Sequence, residues 1–472
     1  MPANSWPQKD SYQEFEPLDS ILSAFVDSEE ELFYRGYKGR RAKAALLLAV
    51  VWGGTLTLHF LSWGSWFVFA LTGLMGIHAL RIISSRPSDA PEALAEGDRD
   101  HWPEVSLLVA AKNEEAVIGH LIHNLCNLDY PASQYEVWAI DDCSSDGTVQ
   151  VLERLQQKYP NLKILRRSVG GKGGKSGALN EVFPLTRGEI LAVFDADAQV
   201  DRDILRRVLP AFDRPQVGAV QVRKQIANEQ VNFLTRSQAA EMALDSYFQM
   251  QRKAVGGIGE LRGNGEFIRR QALERCGLFN EQTITDDLDL TVRLHLDRWD
   301  IDFLNDPAVR EEGVTRTVAL WNQRNRWGEG GYQRYLDYWR LILSNRMGFK
   351  KTWDLFMFWI TQYLLPTAAV PDLLVAIARH RLPILTPVTT LTVALSLIGM
   401  FVGLQRIQRQ QVLDGERSTI SVGRLLVETV RGTLYMFHWF VVVASITARM
   451  SVRRKRLKWV KTVHQGDRGV AA

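Results

Sequence analysis

The chain has 472 residues, a formal net charge of +4 and 46% hydrophobic residues. That length could form two or three soluble domains, but the apolar residues gather towards the two ends, which excludes an ordinary soluble protein and points to a membrane protein with a soluble middle. The positive excess sits largely beside the apolar runs, a distribution suited to anionic lipid surfaces rather than nucleic acid, and the three cysteines, Cys126, Cys143 and Cys276, lack the CxxC spacing of a zinc site or disulfide frame.

Residues 1–30 are acidic and polar (Asp10, Glu14, Glu16, Asp19), unlike a cleavable signal, and predict a disordered tail. The basic flank Arg35, Lys38, Arg40, Arg41 and Lys43 completes a first segment, 1–43. Ala44–Leu80 then runs for 37 residues without Asp, Glu, Lys or Arg. At about 1.5 Å per residue this is long enough for two crossings, so 44–83 reads as a transmembrane hairpin with its tip at Ser62–Ser65. Further charge-free runs, Leu355–Pro371, Leu382–Gln405 and Gly432–Ala448, predict two or three more membrane helices within 355–450, followed by a basic tail, 451–472. Basic residues flank both groups of apolar runs, which orients both termini and the soluble middle towards the cytoplasm and requires an even number of crossings. Of the five runs, Leu355–Pro371, flanked or interrupted by Asp354, Gln362, Pro366 and Pro371, is the one expected not to cross. The stretch 332–354, rich in aromatic and basic residues, reads as an amphipathic helix on the membrane surface.

The middle, 84–331, alternates Val/Ile/Leu-rich runs with helical patterns: VSLLVAA at 105, YEVWAID at 135, LKIL at 162, EILAVFD at 189 and VGAVQV at 217. This predicts an α/β fold with a mostly parallel sheet, in which ligands bind beyond the carboxyl ends of the strands. Those ends are acidic: KNEE, DDCSSDG and DAD. Clustered carboxylates suit a divalent cation that takes its remaining ligands from phosphate and water, and Asp195 and Asp197, two apart, can face one site. The glycine-rich GGKGGKSGALN at 170–180, with Lys172 and Lys175, runs into a helix and suits phosphate; it lacks the context of a Walker loop. His120 and His123, three apart, have no third ligand nearby and are not expected to bind metal.

Seven motifs, AAKNEE, IDDCSSDGT, GGKSGALN, FDADAQ, LRGNGEFIRR, TITDDLDL and QRNRW, occur in the order of the family 2 inverting glycosyltransferases, which this chain resembles from Glu104 to Trp327. The resemblance implies a nucleotide-sugar domain of the GT-A type. It implies a UDP-sugar donor with Asp141 and Asp142 by the uracil, Lys175 near the nucleotide and Gly263–Gly265 beside the donor sugar. Asp195 and Asp197 become the metal ligands for Mg²⁺, or Mn²⁺, on the diphosphate. Asp287 becomes the catalytic base, and Asp286, where the family carries Glu, an acceptor-side residue one methylene shorter. Gln323, Arg326 and Trp327 match Q-x-x-R-W, Arg326 facing diphosphate and Trp327 the acceptor. The layout further resembles membrane glucosyltransferases that use UDP-glucose and diacylglycerol. The reading is therefore an integral membrane transferase that moves one glucose onto a diacylglycerol at the cytoplasmic face. A processive polysaccharide synthase is the alternative; a non-catalytic scaffold is disfavoured because each expected polar position carries a competent residue.

Overall fold

Strands β1 (Val105–Ala111), β2 (Tyr135–Asp141) and β4 (Ile190–Phe194) are buried along nearly their whole length, as strands covered by helices on both faces must be. With β3 (Leu162–Arg166), β5 (Val217–Ile226), β6 (Glu266–Arg269) and β7 (Asp300–Glu311) they form one sheet in the order β3-β2-β1-β4-β6-β5-β7. β6 runs antiparallel to β4 and β5, and the other neighbours are parallel. The computed structural model describes residues 16–24, 37–95, 102–413, 415 and 421–453. The five runs picked out in the sequence are all strands; β6 and β7 were missed. β6 has only four residues, and β7, DIDFLNDPAVRE, carries Asp, Asn and Pro where a buried strand is expected to be apolar.

Helices cover both faces. Ile118–Cys126 buries Ile118, Leu121, Ile122 and Leu125, a single stripe at helical spacing, against one face. Gly174–Val182 and Asp286–Leu296 close the other. Asp286, Asp287 and Asp289 all lie in the first turn of the latter helix, where the helix dipole favours negative charge.

Among the described residues, five helical segments are long and apolar enough to cross a membrane: Gly39–Leu58, Gly64–Ile83, Phe349–Ala378, Thr386–Leu413 and Val422–Val452. The first two form the expected hairpin. Phe349–Ala378 begins beside the catalytic domain, where Lys351 Nζ lies 2.5 Å from Asp300 Oδ1. It ends beside the hairpin tip, where Arg379 donates to the His59 carbonyl at 3.0 Å. There Asp372 accepts from His59 at 2.8 Å and from the backbone N–H groups of Ile384 and Leu385 at 2.8 and 3.0 Å, satisfying the turn into the next helix.

Two expectations are corrected. Residues 332–354 do not form a separate surface helix. Thr317–Leu343 is one continuous helix, and Gly331–Tyr338 are all buried between the catalytic domain and the membrane helices. The polar residues that made the stretch look amphipathic have partners inside: Arg334 lies 2.6 Å from Glu260, Tyr338 donates to Asp289 at 2.9 Å, and Asp337 pairs with Arg40. The tail is not disordered throughout: Leu18–Ala24 is helical, with Leu18 buried and its N–H donating to Asp297 at 3.0 Å. Residues 1–15, 25–36 and 454–472, the rest of the acidic tail and most of the basic one, lie outside the described residues.

Candidate active site

The carboxyl ends of β1, β2 and β4 open on one side of the sheet, and register brings their polar tails together: Ala111 pairs with Asp141, and Asp141 with Arg166. Asp141 caps its own turn, accepting from the Ser144 N–H at 3.3 Å. Asp142 is held between Arg167 at 2.6 Å and Lys112 at 3.3 Å. Both are buried carboxylates at the strand end.

Lys175 lies in the first turn of Gly174–Val182, whose entry needs Gly173 at φ +82°, a left-handed turn that would be strained with a side chain. Its Nζ donates to Asp195 Oδ1 at 2.7 Å and to the Gly263 carbonyl at 2.9 Å. Burial alone would raise the Asp195 carboxyl; the Lys175 ammonium overcomes this and holds it below its ordinary value, with Lys224 and Arg326 adding to the effect. Asp197 accepts from the Glu312 N–H at 3.0 Å. Among the described residues no three carboxylate, imidazole or thiol groups converge as a closed metal cage. Two carboxylates at a strand end instead fit a hard cation that draws its other ligands from diphosphate and water.

Asp287 faces this pair across the Gly263–Gly265 turn. A Cβ built on Gly263, itself at φ +77°, would stand 3.2 Å from Asp287 Oδ2, so only glycine lets the turn approach this closely. Burial, then the like charge of Asp286, push Asp287 up to about 6, where a carboxylate is a better base yet ionised at neutral pH. Gln323 accepts from Arg324 at 2.8 Å. Trp327 is flanked by Lys224, 5.3 Å from its ring centre, and Arg324, at 4.2 Å. Thus the site brings together Asp195, Lys175, Asp287, Arg326 and Trp327, with Asp286 beside Asp287. Asp141 and Asp142 stand at the neighbouring strand ends.

Several residues of this site were not singled out in the sequence. Lys224, near the end of β5, lies 2.8 Å from Glu311 of β7, and Glu311 accepts from Asn264 at 3.1 Å, whose Oδ1 accepts from the Asp195 N–H at 3.2 Å. A chain of contacts therefore joins the Asp195 loop to Trp327. Arg262 and Asn264 lie within a quoted motif and could have been found there. Lys224 and Glu311 carried no local signal.

Below Asp287 a cavity of about 390 Å³ leads from the site into the membrane helices. Thr285, Asp287, Lys224, Arg262 and Trp327 line its polar end; Met75, Ile82, Phe358, Leu365, Val393 and Phe440 are among its apolar walls.

A nucleotide-sugar transferase of the GT-A type is the class defined by this sheet, its acidic strand ends and the half-buried Asp287 carboxyl facing them. The model of the glycosyltransferase-like family 2 matches residues 103–330. A β-monoglucosyldiacylglycerol synthase of Trichormus variabilis is 60% identical over 99% of this chain and 100% of its own length, and one of Synechocystis sp. is 55% identical over 97% of each. The chain belongs to glycosyltransferase family 2, in the group of the β-monoglucosyldiacylglycerol synthases. Among solved structures, a mannosyltransferase from Pyrobaculum calidifontis, described in complex with GDP-Man and Mn²⁺, shares the fold with a TM-score of 0.51 at 20% identity, over 84% of this chain and 99% of its own.

Proposed function

We propose that the protein moves glucose from UDP-glucose to the free hydroxyl of 1,2-diacylglycerol, with inversion, giving β-monoglucosyldiacylglycerol. The observation that carries this reading is the cavity: Asp287 and Trp327 stand at the mouth of a space whose walls are supplied by helices long and apolar enough to lie in a bilayer. An acceptor held there has an apolar body in the membrane and one hydroxyl at the base. The names of the full-length relatives give the same product, a β-monoglucosyldiacylglycerol.

In the reaction the acceptor oxygen bonds to the anomeric carbon, the bond from that carbon to the diphosphate oxygen breaks, and UDP leaves with the electron pair. The acceptor proton passes to Asp287. With a single base opposite the leaving group and no second carboxylate placed as nucleophile, one displacement inverts an α-linked donor. Lys175 and Arg326, and Lys224 behind them, offset the charge that develops on the leaving group. Asp195 and Asp197 would hold a divalent cation, Mg²⁺ or Mn²⁺, which supplies further neutralisation of the diphosphate.

The catalytic domain takes the cytoplasmic side in this reading, with four crossings. Two observations support that number: Phe349–Ala378 reaches the hairpin tip, against the expectation that Leu355–Pro371 stays on one side, and Val422–Val452 has both ends beside the catalytic domain. Near its start Leu425 and Glu428 share a pocket with Arg223, and near its end Arg449 donates to the Asn325 side-chain carbonyl.

Purified protein incubated with labelled UDP-glucose and diacylglycerol in vesicles tests the proposal. Label should run as a single lipid-linked hexose of β configuration. A ladder of longer saccharides, or an acid-insoluble product, would replace this reading with a processive synthase.

A further inference from the structure

Glu266 is fully buried, and neither of its carboxyl oxygens has a hydrogen-bond partner. Buried polar atoms are nearly always satisfied, and leaving a carboxyl group unpaired is costly, so a fold that keeps one beside its active site has a use for it. Register defines where the group points. In β6, Glu266 lies opposite Val193 of β4 and Gln221 of β5. The three side chains therefore leave the sheet on the same face. Gln221 uses its amide to fold the next turn over that face, donating to the Asn264 carbonyl at 2.9 Å and accepting from the Arg262 N–H at 2.7 Å. Its hydrogen-bonding capacity goes into the turn; that of Glu266 goes nowhere.

The charged groups facing Glu266 all belong to the site: Asp286, Lys175, Asp287 and Asp195. Two further buried oxygens in this region, Asp286 Oδ2 and Thr285 Oγ1, also lack a partner. The Thr285 hydroxyl points at the long helix, where a Cβ on Gly330 would stand 2.1 Å from its Oγ1. Three unpartnered oxygens, two of Glu266 and one of Asp286, thus cluster between the lysine that meets the metal-binding carboxylate and the base. Groups that both donate and accept, several to one small molecule, would satisfy them. Hydroxyls of a hexose do this, and the anomeric carbon must lie between the same two residues.

We infer that Glu266 forms the subsite that receives hydroxyl groups of the donor hexose, together with Asp286, which this assigns to the donor side instead of the acceptor side expected from the resemblance, making Glu266 a specificity-determining residue. This rests on the proposed use of a UDP-hexose donor. Glu266 holds the sugar by a hydroxyl remote from the leaving group; it takes no part in proton transfer, which is the work of Asp287, or in binding the nucleotide, which lies at the ends of β1 and β2.

The test is a panel of UDP-glucose and its 2-, 3-, 4- and 6-deoxy analogues with the full-length protein, diacylglycerol as acceptor, and kcat/KM as readout. In the unaltered enzyme at least one deoxy analogue should be roughly 10²-fold poorer than UDP-glucose, because its missing hydroxyl leaves the buried oxygens unpaired. In Glu266→Ala that one penalty should collapse to within about threefold while the others persist, with UDP affinity by calorimetry unchanged. Glu266→Gln, which keeps shape and hydrogen-bonding capacity, should retain most of the penalty, and thermal melting of both variants identifies any that fails to fold. The inference is overturned if a folded Glu266→Ala keeps every deoxy penalty and falls uniformly, as a pocket holding water alone would give, or if UDP binding is lost in step with turnover. Failure of the unaltered enzyme to use any UDP-hexose would instead defeat the donor reading on which this rests.

Discussion

Asp287→Asn separates the chemistry of the base from its cost to the fold. The carboxyl is raised from 3.8 to about 6 by burial and then by Asp286. The folded state therefore binds the proton more tightly than the unfolded chain does. Below about pH 4 both states are protonated and the group contributes nothing; as pH rises from about 4 to about 6 the folded state must carry an ionised, poorly solvated carboxylate, and stability falls. At 1.36 kcal/mol per pH unit the shift is worth roughly 3 kcal/mol, which partial exposure reduces to about 1–2 kcal/mol. Asparagine removes that penalty. The variant should melt a few degrees higher than the parent at pH 8 and at the same temperature at pH 4. It should also lose about 10²- to 10⁴-fold in turnover with UDP affinity intact, the general-base contribution being gone. In the unaltered enzyme, turnover should be half-maximal near pH 6 and fall about tenfold per unit below it. The assays are scanning fluorimetry across pH, calorimetry with UDP, and initial rates of lipid labelling. More than a tenth of the parental turnover, or a parallel loss of UDP binding, would refute the assignment of Asp287 as base.

Asp286→Asn should lower the pH of half-maximal turnover, because the like charge beside the base disappears; a profile that does not move would show that burial alone sets it. Activity should vanish with a chelator and return with Mg²⁺ or Mn²⁺, whereas Asp197→Ala should stay inactive in excess metal; full activity in chelator would remove the metal from the mechanism. Glu260 is fully buried among Arg334, Arg262 and Arg252, at 2.6, 3.0 and 3.2 Å. Burial would raise its carboxyl, but the three guanidiniums hold it below the usual carboxylate range. Glu260→Gln leaves two buried cations and the half-buried Arg262 short of a partner and should cost about 3–5 kcal/mol of stability, read as a lower melting temperature; a loss under 1 kcal/mol would mean that the cluster is solvated. Cysteines placed at Ser65 and at Arg381, both exposed, should be labelled from outside intact cells, and one at Gly348 should not. Protection at Arg381 would mean that Phe349–Ala378 does not cross.

The elements that announce themselves locally were legible in the sequence. Strands β1, β2 and β4 are continuous apolar runs, the hairpin is a long charge-free stretch, and Asp195, Asp197, Lys175 and Asp287 stand in short motifs at strand or helix ends, where a few neighbouring residues define what the backbone does. The glycosyltransferase resemblance rested on such motifs, and the family comparison agrees with it. Tertiary structure decided what depends on partners distant in the chain. The segment 332–338 carries tyrosines and charges that a sequence assigns to a wet surface. It is buried because Glu260, Asp289 and Arg40, far away in the chain, supply the matching charges. β7 is a strand in spite of its composition because β5 offers it backbone partners on both sides of a bulge at 305–307. Lys224 and Glu311 meet only when those two strands pair, and the apolar cavity below Asp287 exists only once helices from both ends of the chain close around it. Local sequence sets the conformation of a few residues and the chemistry they can offer; burial and charge pairing are sums over the whole fold.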